Sequence, residues 1–490
     1  MISCVLINSP DALYSSHYLA DPKMPLGLLS LASYLRAHKV EVHLLDCHTG
    51  DYTQGQLIES IKTLRPTLIG LNISTPNRMA VYEIVERIKR DVSDSVVVVG
   101  GPHATCLPED VFNHAPHIDG VVMGEGEKVV LNILNALPHL RSFPGFFARQ
   151  DVNRHVATHF PPRIKHIDSL PMPAYDLIDL RKYLSVSPEL YVSCSRGCKY
   201  NCVFCCSQIL LGRHVEFRTY NSVINEMTTL KNLYKIEQFY FYDDNLLIWP
   251  DVKAFCEKMT NHKIRWSAQA AINDFEINML PLLLSGGCRR LSFGLESGSP
   301  SMQKYIGKVI KPDAADKITA LNQSGILTRA FIIVGFPNES IHDIAETALY
   351  LIQLRAAGLS DVAIFPARPF PGTRLFRDCV ALLGNDRSEE LLEFQYLEDY
   401  DNEADQKIKD KLQRYNTIPL VPINKEFNSS KVRTLIKTLY KLFFYHAQYM
   451  KMTLTDLTAH LINEIAEGQP LKMAKAARFQ PDVPAGNPLN

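Results

Sequence analysis

Residues 193–206 read Ser-Cys-Ser-Arg-Gly-Cys-Lys-Tyr-Asn-Cys-Val-Phe-Cys-Cys, which sets Cys198, Cys202 and Cys205 at the spacing Cys-x3-Cys-x2-Cys directly after the apolar run Leu190, Tyr191, Val192. Three thiolates from one tight loop can ligate three corners of a [4Fe-4S] cube and leave the fourth iron without a protein ligand, open to a substrate or cofactor. An open iron implies chemistry as well as electron storage. The competing reading is a structural zinc closed by Cys194 or Cys206 as fourth thiolate. Zinc sites generally pair short Cys or His motifs from separate loops, and this chain offers no second pair after Cys206. Cys4, Cys47, Cys106, Cys256, Cys288 and Cys379 stand singly and read as buried small hydrophobes, as do Cys194 and Cys206.

The elements that must position this loop follow from hydrophobic periodicity. From Tyr191 onward, candidate strands end near Ser193, Tyr242, Ala270, Gly294, Gly335 and Phe365, with helical patterns between them. In the fifth of those helices Ile341, Ile344, Ala345, Ala348, Leu349 and Ile352 trace one apolar stripe. Six strand-helix units imply an open barrel, a partial (β/α)6. Its carboxyl-end face is where barrel enzymes assemble their sites. There the sequence places Tyr242-Asp243-Asp244-Asn245, Gly294-Leu295-Glu296-Ser297-Gly298-Ser299, Gly335-Phe336-Pro337 and Pro369-Phe370-Pro371-Gly372-Thr373.

Before this barrel, apolar runs at Cys4 to Ile7, Val42 to Leu45, Leu68 to Ile73, Val96 to Val99 and Gly120 to Met123 alternate with helical patterns. Val81, Ile84, Val85 and Ile88 mark the face of one covering helix. The alternation predicts a doubly wound, flavodoxin-like parallel sheet. Ligands of such sheets sit beyond the carboxyl ends of the strands. Those ends carry Ser74-Thr75-Pro76, Gly100-Gly101-Pro102-His103 and Gly124-Glu125-Gly126-Glu127, a platform poor in side chains that a bulky ligand can approach.

The fold class is thus α/β, with expected domains at 1–140 and 190–384, a proline-interrupted connector at 141–189, a helical region at 385–478 and a disordered tail at 479–490. Helices are expected over 388–400, 405–415, 431–451 and 454–467; the aromatics Tyr440, Phe443, Phe444, Tyr445 and Tyr449 fall at helical spacing and are expected in the core. The 52 basic and 52 acidic residues cancel, so no global field favours nucleic acid or an anionic membrane. The sequence shows neither an apolar stretch long enough for a membrane span nor a charged signal-peptide start at Met1 to Pro10. Clustered free thiols suit a reducing compartment, and the expected location is the cytoplasm.

The cysteine loop, with Phe204 before its last cysteine, and the ordered motifs after it resemble the signature of radical S-adenosylmethionine (SAM) enzymes. With the Ser/Thr and Gly-Gly platform in front, the chain resembles the cobalamin-binding-domain radical SAM enzymes, a class B methyltransferase-like group related to the anaerobic magnesium-protoporphyrin IX monomethyl ester cyclase. The resemblance implies that Cys198, Cys202 and Cys205 bind the [4Fe-4S] cluster. It further implies that Phe204 lies along the SAM adenine, Asp243 or Asp244 meets the methionyl amine, Glu296 accepts from the ribose hydroxyls, and Gly335 and Pro337 shape backbone near the adenine. Ser74, Thr75, Gly100, Gly101, Gly124, Glu125 and Gly126 would meet cobalamin. Some cobalamin proteins place a histidine on cobalt from Asp-x-His-x-x-Gly after the first strand. Here Asp46-Cys47-His48-Thr49-Gly50 follows the second strand and is one residue short, so His48 is not expected on cobalt.

The implied reaction generates a 5′-deoxyadenosyl radical and moves a methyl group by way of methylcobalamin to an unactivated carbon, or phosphorus, of a small metabolite or peptide. An external one-electron reductant of flavodoxin or ferredoxin type is implied as partner. The alternatives are a non-methylating relative that cyclises or rearranges its substrate, and a non-catalytic iron-sulfur or cobalamin-binding protein. A methylthiotransferase fits poorly, since Cys4, Cys47 and Cys106 do not match the N-terminal motifs of that family.

Overall fold

The computed structural model describes residues 3–10, 24–49, 52–92, 94–154, 161–384, 391, 429–444 and 446–467. The helices expected over 388–400 and 405–415 and the tail at 479–490 lie outside the described residues, apart from Leu391.

Strands β1 (Ser3–Asn8), β2 (Glu41–Asp46), β3 (Leu68–Asn72), β4 (Val96–Gly100), β5 (Gly120–Val122) and β6 (Phe146–Ala148) form one sheet in the order β2-β1-β3-β4-β5-β6. The first five run parallel. Helices cover both faces, so the central strands are apolar without alternation, as in the fully buried β1. The face predicted for Val81, Ile84, Val85 and Ile88 is buried on the helix Arg78–Asp91. The carboxyl edge is held by amides: Asn8 Nδ2 donates to Asp46 Oδ1 at 2.7 Å, and Asn72 Nδ2 to Asn8 Oδ1 at 3.0 Å.

The last strand, β6, is antiparallel to β5 and comes from the connector. Prolines crowd that segment and hide so short a strand from periodicity. Its Phe146 lies over Gly120, where an added Cβ would come within 2.3 Å of the ring. The connector then locks onto both domains. Tyr183 donates its hydroxyl to Asp46 Oδ2 at 2.5 Å, and Tyr175 donates to Glu226 Oε1 at 2.7 Å.

The second sheet contains β7 (Leu190–Val192), β10 (Gln238–Phe241), β11 (Arg265–Ala270), β12 (Cys288–Glu296), β13 (Leu327–Val334) and β14 (Asp361–Pro366), all parallel, in the order β14-β13-β12-β11-β10-β7. A small hairpin, β8 (Ser195–Arg196) with β9 (Glu216–Phe217), sits between its first two strands in sequence. Side chains alternate along β10. Phe239 and Phe241 are fully buried, with Phe241 edge-on to Phe255 and Trp266 at 5.4 and 5.5 Å. Tyr240 points to the other face, partly exposed and 5.4 Å from Tyr191. The helices Ser429–Phe444 and Leu454–Glu467 pack on the helix Ile341–Ala356. Among the aromatics of that region, Phe443 is fully buried beneath Arg355, and Tyr449 is partly buried against the same core. Among the described residues no helix is long and apolar enough to cross a membrane.

Glu226, on the barrel helix Tyr220–Tyr234, receives the connector's Tyr175 hydroxyl and pairs with Arg218, 2.6 Å away and also largely buried. Removing one partner of such a pair leaves an uncompensated buried charge. Glu226→Ala is expected to cost about 3–5 kcal/mol, read as a lowered midpoint in denaturant unfolding, whereas removing the exposed Arg36–Asp176 pair is expected to cost less than about 1 kcal/mol.

Candidate active site

The cysteine loop leaves β7 and is pinned at once by a carboxylate from the neighbouring strand. Asp243, just past β10, is buried and accepts from Cys194 N at 3.1 Å, Ser195 N at 2.6 Å and Ser195 Oγ at 2.5 Å. Its burial pushes the Asp243 carboxyl up, against the opposing pull of those donors. With its oxygens so engaged, Asp243 shapes the loop. Asp244, the next residue, is exposed, accepts from Ser207 Oγ at 3.0 Å, and lies within electrostatic reach of Cys198, Cys205 and Cys206. The two neighbours, equivalent by sequence, thus differ in kind.

After the hairpin strand β8, Gly197 turns the chain at φ +107°, and a Cβ there would stand 2.7 Å from the His214 carbonyl. Cys198 and Cys205 follow as half-buried thiols and Cys202 as a buried one. Each thiol lies within electrostatic reach of another, and burial raises all of them, Cys202 to about 12. A metal bound here through thiolates would displace protons from this loop. Among the described residues no group of three His, Cys, Asp or Glu side chains is arranged around a single metal ion. Cys194, a candidate fourth zinc ligand, is buried.

Lys308 stands within electrostatic reach of Cys198 and Cys202. It is half-buried, and desolvation would lower its ammonium, but Glu296, Cys202 and Cys198 together hold it above its ordinary range. Its Nζ is 3.2 Å from Glu296 Oε1. Glu296 ends β12 at a register shift, in the left-handed region at φ +64°. Gly294 leaves room for the pair: a Cβ there would lie 2.2 Å from Glu296 Oε1 and 2.7 Å from Lys308 Nζ, so both side-chain ends would have to shift. The rest of that motif serves packing: Ser297 Oγ and Gly298 N both bond Thr347 Oγ1, on the helix Ile341–Ala356, at 3.0 Å.

Phe204 is partly buried with its ring centroid 6.3 Å from that of Phe336. Gly335, at φ +88°, and Phe336 both donate their backbone N–H to Glu339 Oε2. Pro337 follows, half-buried. Burial pushes the Glu339 carboxyl up to about 8. The cysteines, Phe204, Asp244, Glu296 and the Gly335 turn therefore share the carboxyl-end face of the barrel.

On the first sheet the platform residues also gather at the carboxyl edge, with causes that sequence did not disclose. Gly101 has φ +118°, and its Cβ would meet the Ile73 carbonyl at 2.8 Å; Gly100 faces Val122 at 3.3 Å. Gly101 is required by the backbone of the edge itself, whereas at Gly100 a Cβ would only crowd the Val122 side chain. Thr75 is buried, its Oγ1 3.1 Å from His103 Nδ1, and His103 Nε2 lies 2.9 Å from Asp110 Oδ2 and 3.1 Å from the Tyr82 hydroxyl. Ser74 is half-buried, with its N–H capped by Asn77, and Gly124 N donates to Thr105 Oγ1. Glu125 is committed elsewhere. Its carboxylate accepts from Arg163 Nε at 3.1 Å, Arg196 Nη1 at 2.9 Å and Ile164 N at 2.7 Å. Gly126 opens the following helix.

The two edges meet. Arg196, in β8, spans Glu125 and Glu127 of the first domain, with Nη2 2.6 Å from Glu127 Oε1 and 3.0 Å from Ser30 Oγ. Burial would raise the Glu127 carboxyl, but the Arg196 charge and hydrogen bond outweigh it and hold it low. Arg163 of the connector closes the group by donating to the Arg196 carbonyl at 3.1 Å. Nearby, Cys106 Sγ and the Ile209 side chain of the cysteine loop both approach Gly372, at 3.4 and 3.1 Å from where its Cβ would stand. Lys308 carries no sequence signal of its own, and Arg196, Glu127 and Gly294, though they lie in motifs, carry none for these roles; only proximity to a motif marks them.

A thiol loop on a six-stranded parallel barrel, faced by a doubly wound domain across a buried ionic seam, defines a two-cofactor enzyme architecture. Residues 21–134 match the B12 binding domain and residues 192–351 the Radical SAM superfamily. Over 447 residues, 89% of this chain and 90% of the relative, the sequence is 30% identical to an uncharacterized methyltransferase of Pyrococcus horikoshii. It is 29% identical over 342 residues, 66% of this chain and 61% of the relative, to the anaerobic magnesium-protoporphyrin IX monomethyl ester cyclase of Rubrivivax gelatinosus. The radical SAM methyltransferase TsrM of Kitasatospora setae, solved with cobalamin and a [4Fe-4S] cluster bound, shares the fold, with a TM-score of 0.64, 19% identity, and coverage of 78% of this chain and 76% of that one. The chain belongs to the radical SAM superfamily, in the branch that carries a B12-binding domain ahead of the barrel.

Glu339 keeps its proton in the folded chain up to about 8, whereas an unfolded chain releases it at about pH 4.3. The folded state therefore binds more protons across that window, so this contribution to stability is whole in acid and lost as pH rises through about 8. Glu339→Gln, unable to titrate, is expected to flatten the pH dependence of the denaturation midpoint over the same range.

Proposed function

We propose that this chain is a cobalamin-dependent radical SAM methyltransferase that places a methyl group on an unactivated carbon, or phosphorus, of a small metabolite or peptide. The observation that carries the reading is the meeting of the two carboxyl edges at Cys106, Ile209 and Gly372, since a methyl carrier must face the site where the substrate radical forms. When bound, the cluster and SAM supply the radical and the corrinoid carries the methyl group.

The residues of this chain do the holding. Cys198, Cys202 and Cys205 bind the cluster as thiolates, and Lys308 offsets their charge. Asp244 accepts from the methionyl amine, because Asp243 is spent on the loop. Glu296, oriented by Lys308, accepts from the ribose hydroxyls in a charge-assisted bond. Phe204 and the Gly335-Phe336-Pro337 turn wall the adenine, and their burial excludes water from the reacting carbon. Ser74, Thr75, Gly100, Gly101, Gly124 and Gly126 line the corrinoid platform. The functional units are taken as 1–140 and 190–384, joined by the connector 141–189 and followed by a helical region, 385–478, and a tail, 479–490. The chain works in the cytoplasm with a flavodoxin- or ferredoxin-type reductant, where its free thiols persist.

A cyclase-type oxidation is the second reading, favoured by the likeness to the Rubrivivax gelatinosus enzyme. Product balance separates them, because methyl donation converts SAM to S-adenosylhomocysteine and radical generation converts it to 5′-deoxyadenosine. The reduced, reconstituted protein is expected to form both; 5′-deoxyadenosine alone favours the cyclase reading. Cys202→Ala is expected to abolish 5′-deoxyadenosine while retaining cobalamin, and persistence of that product would overturn the cluster assignment. Gly294→Ala, by displacing Glu296, is expected to weaken SAM binding about 10- to 100-fold, the loss of one charged hydrogen bond, with iron content unchanged; calorimetric titration with SAM checks it.

A further inference from the structure

The ionic seam offers more than domain adhesion. Arg196 lies two residues before Cys198, and its guanidinium reaches Glu125 Oε1 at 2.9 Å and Glu127 Oε1 at 2.6 Å. Those carboxylates flank the opening of the helix Gly126–Ala136, directly after the platform residue Gly124. Their side chains are only 3% and 5% exposed, so solvent does not loosen the pair. One rigid fork therefore joins the corrinoid edge to the start of the iron loop. A planar guanidinium that binds two carboxylates fixes direction as well as distance. Arg163 doubles the constraint by bonding Glu125 with Nε and the Arg196 carbonyl with Nη2. The loop is also held from its own domain by Asp243 at Cys194 and Ser195, so movement in the seam has no slack to enter before Cys198.

We propose that Arg196 is a positioning residue that sets the separation and orientation between the corrinoid and the iron-sulfur cluster, with Glu125, Glu127 and Arg163 as its partners. The inference rests on the two-cofactor reading above and adds what holds the cofactors in register. Truncating Arg196 loosens the seam beside the two cofactor edges, while the connector still ties the domains through Tyr183 and Tyr175 and each retains its own cofactor.

The test is pulsed dipolar electron paramagnetic resonance between cobalt(II) and the reduced cluster in the full chain loaded with both. Wild type is expected to give one narrow distance distribution. Arg196→Gln is expected to broaden it measurably, with iron and cobalamin content at wild-type levels. Arg196→Lys keeps the charge without the fork and should fall between. Glu127→Gln acts from the opposite domain and should broaden the distribution even if Arg196→Gln fails to fold. Arg36→Gln, at an exposed pair, should leave it narrow. Unchanged distributions in Arg196→Lys and Glu127→Gln would overturn the proposal alone. A wild-type sample that loads only one cofactor would overturn the two-cofactor reading and the proposal with it.

Discussion

The structure depends on one constraint: two sheets that bind different ligands must present their carboxyl edges to each other and stay there. The Arg196 fork between Glu125 and Glu127 enforces it. Paired buried charges contribute little net stability against desolvation, yet breaking one such pair costs about 3–5 kcal/mol. The seam is consequently a poor glue and a good jig. It penalises every arrangement in which the carboxylates and guanidinium groups are not matched, and so selects a single docking of the domains.

Other choices follow from that demand. The connector is not a spacer but a third body. It adds β6 to the first sheet, anchors to Asp46 through Tyr183 and to Glu226 through Tyr175, and delivers Arg163 to the seam. Asp243 transmits barrel geometry to the loop, while Lys308 and Gly294 hold Glu296 toward the cysteines. The buried network of Thr75, His103, Tyr82 and Asp110 stiffens the platform from beneath.

Much of this was legible in the sequence because it is local. The cysteine spacing, the strand runs and the motif ends each depend on a few neighbouring residues, and both sheets carry the predicted strands. What escaped is what arises between distant segments. Glu125 reads as a ligand-platform residue from its glycine neighbours, yet its partner is 71 positions away. Asp243 and Asp244 are equal in a sequence, and only the direction of the strand end separates them. Gly101 reads as room for a ligand, yet its left-handed φ and the Ile73 carbonyl give it a second, backbone reason that no sequence pattern shows. β6 is too short and too close to prolines to show a period.

The central claim, that one chain holds a cluster and a corrinoid face to face with no histidine on the cobalt, is tested most directly by one preparation. The protein is made anaerobically with hydroxocobalamin, its cluster is reconstituted, and ultraviolet-visible and cobalt(II) paramagnetic resonance spectra are taken from the same sample. Equal amounts of cluster and cobalamin are expected, and a cobalt(II) signal without nitrogen superhyperfine splitting, because both His103 ring nitrogens are engaged by Thr75, Tyr82 and Asp110 and His48 follows the second strand in a motif one residue short. A cluster without cobalamin, or a cobalt signal split by a nitrogen ligand, would contradict it.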